Sequence, residues 1–203
     1  SSRSSDVIEI PTNVLKDFVG GSGLGTWLLL QHCPDRVDPL APESPLIFSF
    51  SPLVGSPLTT SAKFAVLSKS PLTQRINDSL SSSGFAIAGK KCGYDAIMIV
   101  GASDSPTCIA VEDSAIRFED AGDLWGSSSQ HAEQVLGGRL GKGFRIAAIG
   151  SAGEKLVRYA TVSHDGRHAG RGGLGAVMGS KMLKALAVRG TQQTTFAFPE
   201  ELV

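Results

Sequence analysis

An internal repeat is the feature of this 203-residue sequence that most restricts its fold. Residues 63–68 are Lys-Phe-Ala-Val-Leu-Ser, and residues 158–163, 95 positions later, are Arg-Tyr-Ala-Thr-Val-Ser. Each copy follows a Gly-Ser pair at the same spacing. Further along, glycines and apolar residues of segment 84–101 match those of segment 173–190 at an offset of 89. Each copy therefore predicts a Gly-Ser turn, a strand, a glycine-rich segment and a closing apolar strand.

The predicted elements are typical of an α+β domain. Apolar residues at helical spacing predict helices over 12–19, 26–32 and 130–136. Short apolar runs predict strands over 46–50, 64–67, 96–100, 107–111, 145–149, 156–162 and 183–188. Strands and short helices do not alternate regularly, as they would in a doubly wound sheet. We therefore expect one domain over residues 1–203, a β-rich platform of two similar halves, about 44–102 and 143–191, related by a pseudo-twofold axis.

The composition argues against several classes of protein. Nineteen Lys and Arg balance nineteen Asp and Glu, so no net charge draws the chain to nucleic acid or a membrane surface. No apolar run approaches the roughly 20 residues that span a bilayer. Cys33, Cys92 and Cys108 are scattered, which is typical of core thiols in a reducing compartment and excludes a zinc or iron–sulfur site built from them alone. We expect a cytoplasmic protein without a nucleic-acid or membrane partner, and the absence of an initial Met suggests a trimmed fragment.

The segment 164–181, His-Asp-Gly-Arg-His-Ala-Gly-Arg-Gly-Gly-Leu-Gly-Ala-Val-Met-Gly-Ser-Lys, carries the densest chemical signal. Its glycines let a backbone come close to a ligand, while Arg167, His168 and Arg171 add hydrogen-bond donors. This pattern predicts an anion or cofactor site, and the alternative is a tight turn with solvated arginines. Residues 170–175 formally fit G-x-G-x-x-G, but no acidic residue follows about 20 positions later, so a dinucleotide site is not expected.

Other motifs predict no catalytic machinery in this chain. Residues 84–91 nearly match a phosphate-binding loop, but Lys91 replaces the Ser or Thr that would hold magnesium, so this segment is expected to be structural. His164 and His168 lack a third metal ligand nearby and are expected to form hydrogen bonds. No nucleophile motif is present. The residues alone therefore predict a duplicated α+β domain with an anion-binding loop.

The segment 169–181 closely resembles the N-terminal domain of the tungsten-containing aldehyde ferredoxin oxidoreductases. The similarity is collinear from about residue 18 to residue 190, and it includes the shorter segments 37–43, 67–73, 93–97, 123–126 and 149–154. In that family the domain is a base of two similar halves that carries a bis-pterin cofactor. The resemblance implies tungsten or molybdenum held by two pterins, with magnesium bridging the pterin phosphates.

The resemblance also implies an activity that needs more chain than this. Enzymes of the family oxidise aldehydes to carboxylic acids and pass electrons through a [4Fe–4S] cluster, held by later domains, to ferredoxin. The implied partners are the rest of its own chain, ferredoxin, an aldehyde substrate and, since homodimers are common in the family, a second copy. No catalytic residue is expected within this fragment. The alternatives are a non-catalytic module that binds a pterin or another phosphorylated ligand, and a degenerate scaffold domain.

The resemblance assigns site residues position by position. The backbone carbonyl of Ala169 is expected to face magnesium. The residues expected to contact the cofactor are Lys63, Ser82, Arg167, Gly170, Arg171 and Gly172. Lys63 replaces the usual arginine, and so keeps a point charge but loses the two-pronged donor geometry.

The first half departs from the family pattern after residue 73. The family has an Asn-Ser-Gly-Gly segment there, whose Asn helps to hold magnesium. Here Leu80 stands near the Asn position and serines replace the glycines. Leu80 cannot bind magnesium, so Asn77 or Asp78 would have to substitute through a shifted loop. Serine hydroxyls would still meet phosphate, although a serine at a position that needs a positive φ would be strained.

Overall fold

The computed structural model describes residues 3–113 and 115–202. The helices are α1 (Thr12–Phe18), α2 (Gly21–His32), α3 (Gly84–Lys90), α4 (Ser129–Leu140), α5 (Ser151–Glu154) and α6 (Leu174–Ser180), with short 3₁₀ turns at Gly122–Leu124 and Pro199–Leu202. The strands are β1 (Leu46–Phe50), β2 (Lys63–Lys69), β3 (Ile76–Ser82), β4 (Ala96–Ile99), β5 (Thr107–Glu112), β6 (Ala115–Asp120), β7 (Arg145–Ala148), β8 (Val162–His164), β9 (Arg167–Ala169) and β10 (Leu183–Arg189). The described chain is therefore a mixed α and β structure.

The strands form two sheets, ordered β3-β2-β1-β4 and β6-β5-β10-β7-β8-β9. Neighbouring strands are antiparallel except β5 and β10, which are parallel. Four strands of the second sheet, in the order β9-β8-β7-β10, follow the same sequence of connections as the first sheet. In each set a short helix, α3 or α6, joins the third strand to the fourth.

The register of the two sets can be compared residue by residue. Ser49 lies opposite Ala65 on one side and Ala96 on the other. Ala148 lies opposite Ser163 and Ala185 in the same way. The closing strands therefore correspond at the offset of 89 that the sequence match predicts, but the second strands correspond at 98 rather than 95. The sheet register thus does not align the two basic residues that begin the sequence match.

Three hydrophobic clusters define the layers. The central cluster lies between the sheets, where Phe48 and Phe64 of the first sheet meet Leu186 of the second, with α3 and α6 contacting both sheets. Helices α1 and α2 cover the outer face of the first sheet. Helix α4 covers the outer face of the second through Leu136. Because the side chains of strand β1 alternate, they enter the central cluster on one face and the cluster beneath α1 and α2 on the other.

Two sequence predictions of local structure are wrong. Residues 156–161 form turns rather than a strand, because Leu156 takes a left-handed φ of 57° directly after α5 and the chain reverses there. The segment expected as a loop over residues 77–83 is largely strand β3, which pairs with β2 along its whole length.

Helices α3 and α6 had no helical prediction because they are rich in glycine. A side chain at Gly89 would lie 2.2 Å from the ring of Phe50, and one at Gly179 would lie 2.1 Å from a backbone carbonyl, so close packing explains the composition.

Buried lysines connect segments that are distant in sequence. Lys184 Nζ lies 2.5 Å from Glu154 Oε1 and donates to the carbonyl of Ser127 at 2.9 Å. Glu154 also accepts a hydrogen bond from the backbone of Gly126. Lys181 donates to the carbonyls of Pro42 and Gly101, and burial lowers its pKa to about 8. Both lysines are thus structural links between loops.

The cysteines lie where small core residues are expected. Cys92 and Cys108 are buried in hydrophobic clusters, and burial raises their pKa values to about 11 and about 12. Cys33 is partly exposed, and all three are free thiols. Over the described ranges, no helix has the length and apolar character needed to cross a membrane. The same residues include no group of three or more His, Cys, Asp or Glu side chains arranged to hold a metal ion.

Candidate cofactor-binding site

Strand β3 binds the segment 168–172 through the side chains on one of its faces. Because alternate residues of a strand point to the same side, Asn77, Ser79 and Ser81 share that face. The Asn77 amide donates to the carbonyl of Arg171 at 3.2 Å, and Ser79 Oγ accepts from the Arg171 N–H at 3.0 Å. Ser81 Oγ lies 3.5 Å from the carbonyl of His168. Side chains of the first sheet therefore hold the glycine-rich segment through hydrogen bonds to its backbone.

The same segment is held from a second direction by the loop after β2. Ser70 is fully buried, and its hydroxyl donates to the carbonyl of Gly172 at 2.7 Å. Hydrogen bonds to buried polar groups restrict both partners, because breaking them leaves an unsatisfied group. The backbone on both sides of Arg171 thus has a fixed position.

The glycines of this segment fall into two kinds. Gly172 and Gly173 have φ values of 70° and 75°, in the left-handed region that favours glycine. A Cβ at Gly173 would lie 1.9 Å from the carbonyl oxygen of Arg158, and one at Gly172 would lie 2.1 Å from Asn77 Cγ. Gly170 differs, because it is exposed and a Cβ there would touch only Thr161 Cγ2, at 3.7 Å. The fold itself explains the first two glycines but leaves the third unexplained.

Three positive side chains of the predicted site have no acidic partner among the residues that the structure describes. Lys63, Arg167 and Arg171 are exposed, and none of them takes part in an ion pair among the residues that the structure describes. Lys63 lies opposite Ser82 in the β2–β3 pairing, and Arg167 lies opposite His164 in the β8–β9 pairing. Unpaired cations beside fixed backbone form an arrangement suited to binding an anion such as a phosphate.

His164 lies buried beneath this surface. Its Nδ1 is 2.7 Å from Ser83 Oγ and its Nε2 is 2.7 Å from Ser81 Oγ, while its ring packs edge-on against Phe64 at 4.8 Å. Burial lowers the pKa of His164 to about 4, so the imidazole is neutral near pH 7. His168 Nδ1 lies 2.9 Å from Ser163 Oγ. The predicted hydrogen-bonding role of the two histidines is confirmed, although each bonds to serines rather than to the other.

A comparison with known protein families identifies the family of this chain. The sequence model of the family described as "Aldehyde ferredoxin oxidoreductase, N-terminal domain" matches residues 1–190. The chain belongs to this family. The resemblance found in the sequence is thereby confirmed.

The relatives of this chain are named for different oxidoreductase activities. Tungsten-containing aldehyde ferredoxin oxidoreductases are 41% identical in Pyrococcus furiosus, over 94% of this chain and 32% of the relative, and 41% identical in Pyrococcus horikoshii, over 90% and 30%. An aliphatic sulfonate oxidoreductase, WOR-like subunit, of Pyrococcus furiosus is 33% identical over 91% of this chain and 32% of the relative. The chain thus spans about a third of the length of the curated relatives that it matches.

A solved structure of the same kind matches the fold. It is the active site complex BamBC of benzoyl coenzyme A reductase with 1,5-dienoyl-CoA, with a TM-score of 0.92 and 33% sequence identity. The match covers 96% of this chain and 30% of that one. The two-sheet arrangement described above is therefore shared with an oxidoreductase component.

The structure places the site residues that the family resemblance assigns on strands β2, β3 and β9 and in the segment that follows β9. Lys63 begins β2 and Ser82 ends β3, directly opposite each other. Arg167 and the buried Ala169 belong to β9, and Gly170 follows it. Arg171 and Gly172 lie beside Asn77 and Ser79 near the start of β3, whereas Ser82 lies at the end of this strand and on its other face.

The expectation that Asn77 or Asp78 would replace the missing magnesium ligand does not fit the structure. The Asn77 amide is bonded to the carbonyl of Arg171, and Asp78 accepts a hydrogen bond from Ser22 on α2 at 2.6 Å. Leu80 lies on the other face of β3 from Asn77, and its side chain is largely exposed. The loop shift on which that substitution would depend is not observed, because these residues belong to strand β3.

The serines that replace the family's glycines are not strained. Neither Ser82 nor Ser83 is among the described residues with positive φ. Sequence reasoning missed the roles of Ser79, Ser81 and Ser83. Their spacing of two residues was the available signal, since it predicts a strand with a hydroxyl-bearing face.

Proposed function

We propose that this chain is the cofactor-binding N-terminal domain of an oxidoreductase of the aldehyde ferredoxin oxidoreductase type. A tungsten or molybdenum bis-pterin would rest on the surface formed by the ends of β2, β3 and β9 and by residues 170–172. The observation that carries this proposal is the contrast at Gly170. Positions 172 and 173 require glycine because other residues pack closely against them, whereas the space beside Gly170 is free.

The residues present fit a phosphate-bearing pterin. Gly170 leaves room for a flat ring to approach the backbone, and Arg171 and Lys63 supply positive charge for the phosphates. Arg167 adds a second guanidinium, and the hydroxyl of Ser82 would donate to a phosphate oxygen. Because a lysine is a point charge, its contact would be less directional than an arginine's.

Magnesium would be held mainly from the second half of the domain. The backbone carbonyl of Ala169 is the proposed ligand, and the position near Leu80 offers no side-chain oxygen. The Asn77 amide nitrogen is bonded to the Arg171 carbonyl, and water and pterin phosphates are proposed to complete the coordination. Magnesium tolerates this arrangement because it usually retains several waters.

The complete enzyme is proposed to oxidise an aldehyde to a carboxylic acid. The bound metal–pterin group would accept the electrons, and a [4Fe–4S] cluster on the rest of the chain would pass them to ferredoxin. The similarity to tungsten-containing aldehyde ferredoxin oxidoreductases supports this assignment. The three free thiols suit a cytoplasmic location, and a homodimer is proposed from the family resemblance alone.

We also propose that the domain arose by duplication. The order β3-β2-β1-β4 and the order β9-β8-β7-β10, each with a helix before its last strand, support two related halves within one domain. The halves then meet where β3 contacts β9, which is where the proposed cofactor surface lies.

The test uses the full-length protein expressed in a host that makes tungsten and molybdenum pterins. We expect the purified protein to contain pterin and one of the two metals. Arg171→Ala should lower the retained pterin by about tenfold, the effect expected for one charge-assisted phosphate contact, while the unfolding temperature stays the same. Arg36→Ala is the matched control, because Arg36 is also exposed and has no ion pair among the described residues.

Two results would contradict the proposal. A wild-type protein without tungsten, molybdenum and pterin would overturn the cofactor assignment. Equal pterin content in Arg171→Ala and Arg36→Ala would show that the cofactor does not use this surface.

A further inference from the structure

His164 joins the two sheets at the point where the proposed cofactor surface is built. It belongs to β8, and its side chain has no exposed surface. Both of its ring nitrogens bond to serines at the end of β3, 81 and 83 positions earlier in the chain. A fully buried imidazole bonded to Ser81 on β3 and to Ser83 at the start of α3 fixes the distance between the two sheets.

The hydrogen bonds around His164 have one consistent direction. Ser83 Oγ accepts from the backbone N–H of Phe85 at 3.1 Å, which leaves its proton free to donate to Nδ1. Nε2 then carries the imidazole proton and donates to Ser81 Oγ. Ser81 in turn has its proton available for the carbonyl of His168, the residue before Ala169. The chain of bonds thus runs from the start of α3 to the backbone of β9.

Only a neutral imidazole completes this chain. A protonated ring has two donors and no acceptor, so the hydroxyl proton of Ser83 would lose its partner. The charged groups around His164 are Arg167 and His168 on β9, Asp165 in the turn that follows β8, Arg145 on β7 and Glu133 on α4. Asp165 is bonded to Arg145 at 3.1 Å and to the Phe85 N–H at 3.0 Å, so its carboxylate is committed to other donors.

The residues that His164 holds are the neighbours of the proposed site residues. Ser81 and Ser83 flank Ser82, and His168 precedes Ala169. A shift of Ser81 relative to His168 would therefore change the separation between Ser82 and Ala169. Geometric errors of about 1 Å are enough to weaken a bound constellation severely.

We propose that His164 is a positioning residue for the cofactor site. Through Ser81 and Ser83, it holds the end of β3 against β9, so that the backbone of His168 and Ala169 keeps a fixed position toward a bound pterin. This inference rests on the proposed function, but the order of the two strand ends can be measured without any cofactor. His164 itself touches neither the cofactor nor the substrate.

The test compares three variants of the full-length protein. His164→Leu keeps the buried volume and removes both hydrogen bonds. His164→Gln restores one donor and one acceptor. Leu136→Ala is the matched control, because Leu136 is also fully buried but lies under α4, on the outer face of the second sheet. Hydrogen exchange of peptides covering residues 79–85 and 166–173 is measured in protein freed of cofactor, and retained pterin is measured in protein as isolated.

In His164→Leu we expect exchange to accelerate by about tenfold or more in both peptides and pterin retention to fall, because local protection depends on these bonds. In Leu136→Ala, at a similar loss of unfolding temperature, both peptides and pterin retention should keep their wild-type values. His164→Gln should recover most of the retention. If His164→Leu does not fold, Ser81→Ala interrupts the same chain at one bond and takes its place in the comparison.

Two outcomes would overturn the inference. One is equal pterin loss in His164→Leu and Leu136→Ala, which would mean a role in stability only. The other is a ¹⁵N-histidine spectrum showing Nδ1, rather than Nε2, protonated in His164. A wild-type protein without pterin would instead overturn the proposed function, and the exchange measurement would still decide whether His164 orders the two strand ends.

Discussion

Strands β3 and β9 occupy the same place in their two sheets and use opposite parts of the chain. Each is the edge strand of a four-strand order and leads to a short helix. Strand β3 has seven residues and no glycine, and it presents hydroxyl and amide side chains to its neighbour. Strand β9 has three residues and continues into glycines, so it presents backbone. The side chains of β3 therefore bind the backbone of β9 and of the segment that follows it.

This difference explains why the first half can depart from the family pattern without losing order. The hydroxyls of Ser79 and Ser81 bind the backbone of Arg171 and His168, and Ser82 and Ser83, which stand at the family's glycine positions, have no positive φ. Because β3 bonds to that backbone, the side chains of Arg167 and Arg171 remain exposed to solvent. In this part of the molecule, a left-handed backbone that favours glycine is thus found after β9, at Gly172 and Gly173, and not in β3.

The most severe way to break the held segment is to add a methyl group at Gly173. Gly173→Ala combines a φ of 75° with a Cβ that would lie 1.9 Å from the carbonyl oxygen of Arg158. We expect a loss of more than about 3 kcal/mol in the free energy of unfolding, because left-handed strain adds to a backbone displacement. Urea denaturation of the full-length protein measures this loss.

The matched control separates strain from collision. Gly101 has a φ of 91° but nothing within 4 Å of an added Cβ, so Gly101→Ala tests strain alone. We expect it to lose about 1 kcal/mol. Equal losses in the two variants would show that the contact with Arg158 does not require glycine.

Acid should weaken the connection between the two strands. The folded pKa of His164 is lowered to about 4 from 6.5, so its contribution to stability is complete above pH 6.5 and is lost as the pH falls toward 4. The unfolded state binds the proton first, so the free energy of unfolding should fall by about 2 kcal/mol between about pH 7 and about pH 4.5 from this group.

Denaturation of wild type and His164→Gln across this pH range isolates the contribution, since the carboxylates titrate in both proteins. The variant should show a correspondingly shallower decline. Parallel curves for the two proteins would contradict a buried neutral imidazole at this position.

The sequence predicted correctly a strand whose residues are all buried. Strand β1 is buried along its whole length, and its apolar run was enough to predict it. Strand β3 was missed because one of its faces meets the polar backbone of β9, so neither face is apolar. The segment 156–161 was misassigned because its apolar residues occur in a turn, with Tyr159 70% exposed.

The candidate site shows the same limit at the level of single residues. The glycine-rich segment was visible in the sequence, but the reason for each glycine depends on a residue that only the fold brings near. Asn77 lies beside Gly172, and Arg158 lies beside Gly173. His164 was likewise visible, while its serine partners lie 81 and 83 positions away.

The smallest expected effect on stability is the most informative about function. Gly170→Ala adds a Cβ whose nearest contact is an ordinary 3.7 Å to Thr161, and Gly170 does not have a positive φ. We expect the free energy of unfolding to change by no more than about 0.5 kcal/mol. Pterin content should nevertheless fall, because the methyl group would occupy the space that a ligand uses to approach the backbone. Gly138→Ala, an exposed glycine of α4 with nothing within 4 Å, should leave pterin content unchanged. If Gly170→Ala retains its pterin, the free space at this position has no role in binding, and glycine there is explained neither by the fold nor by the ligand.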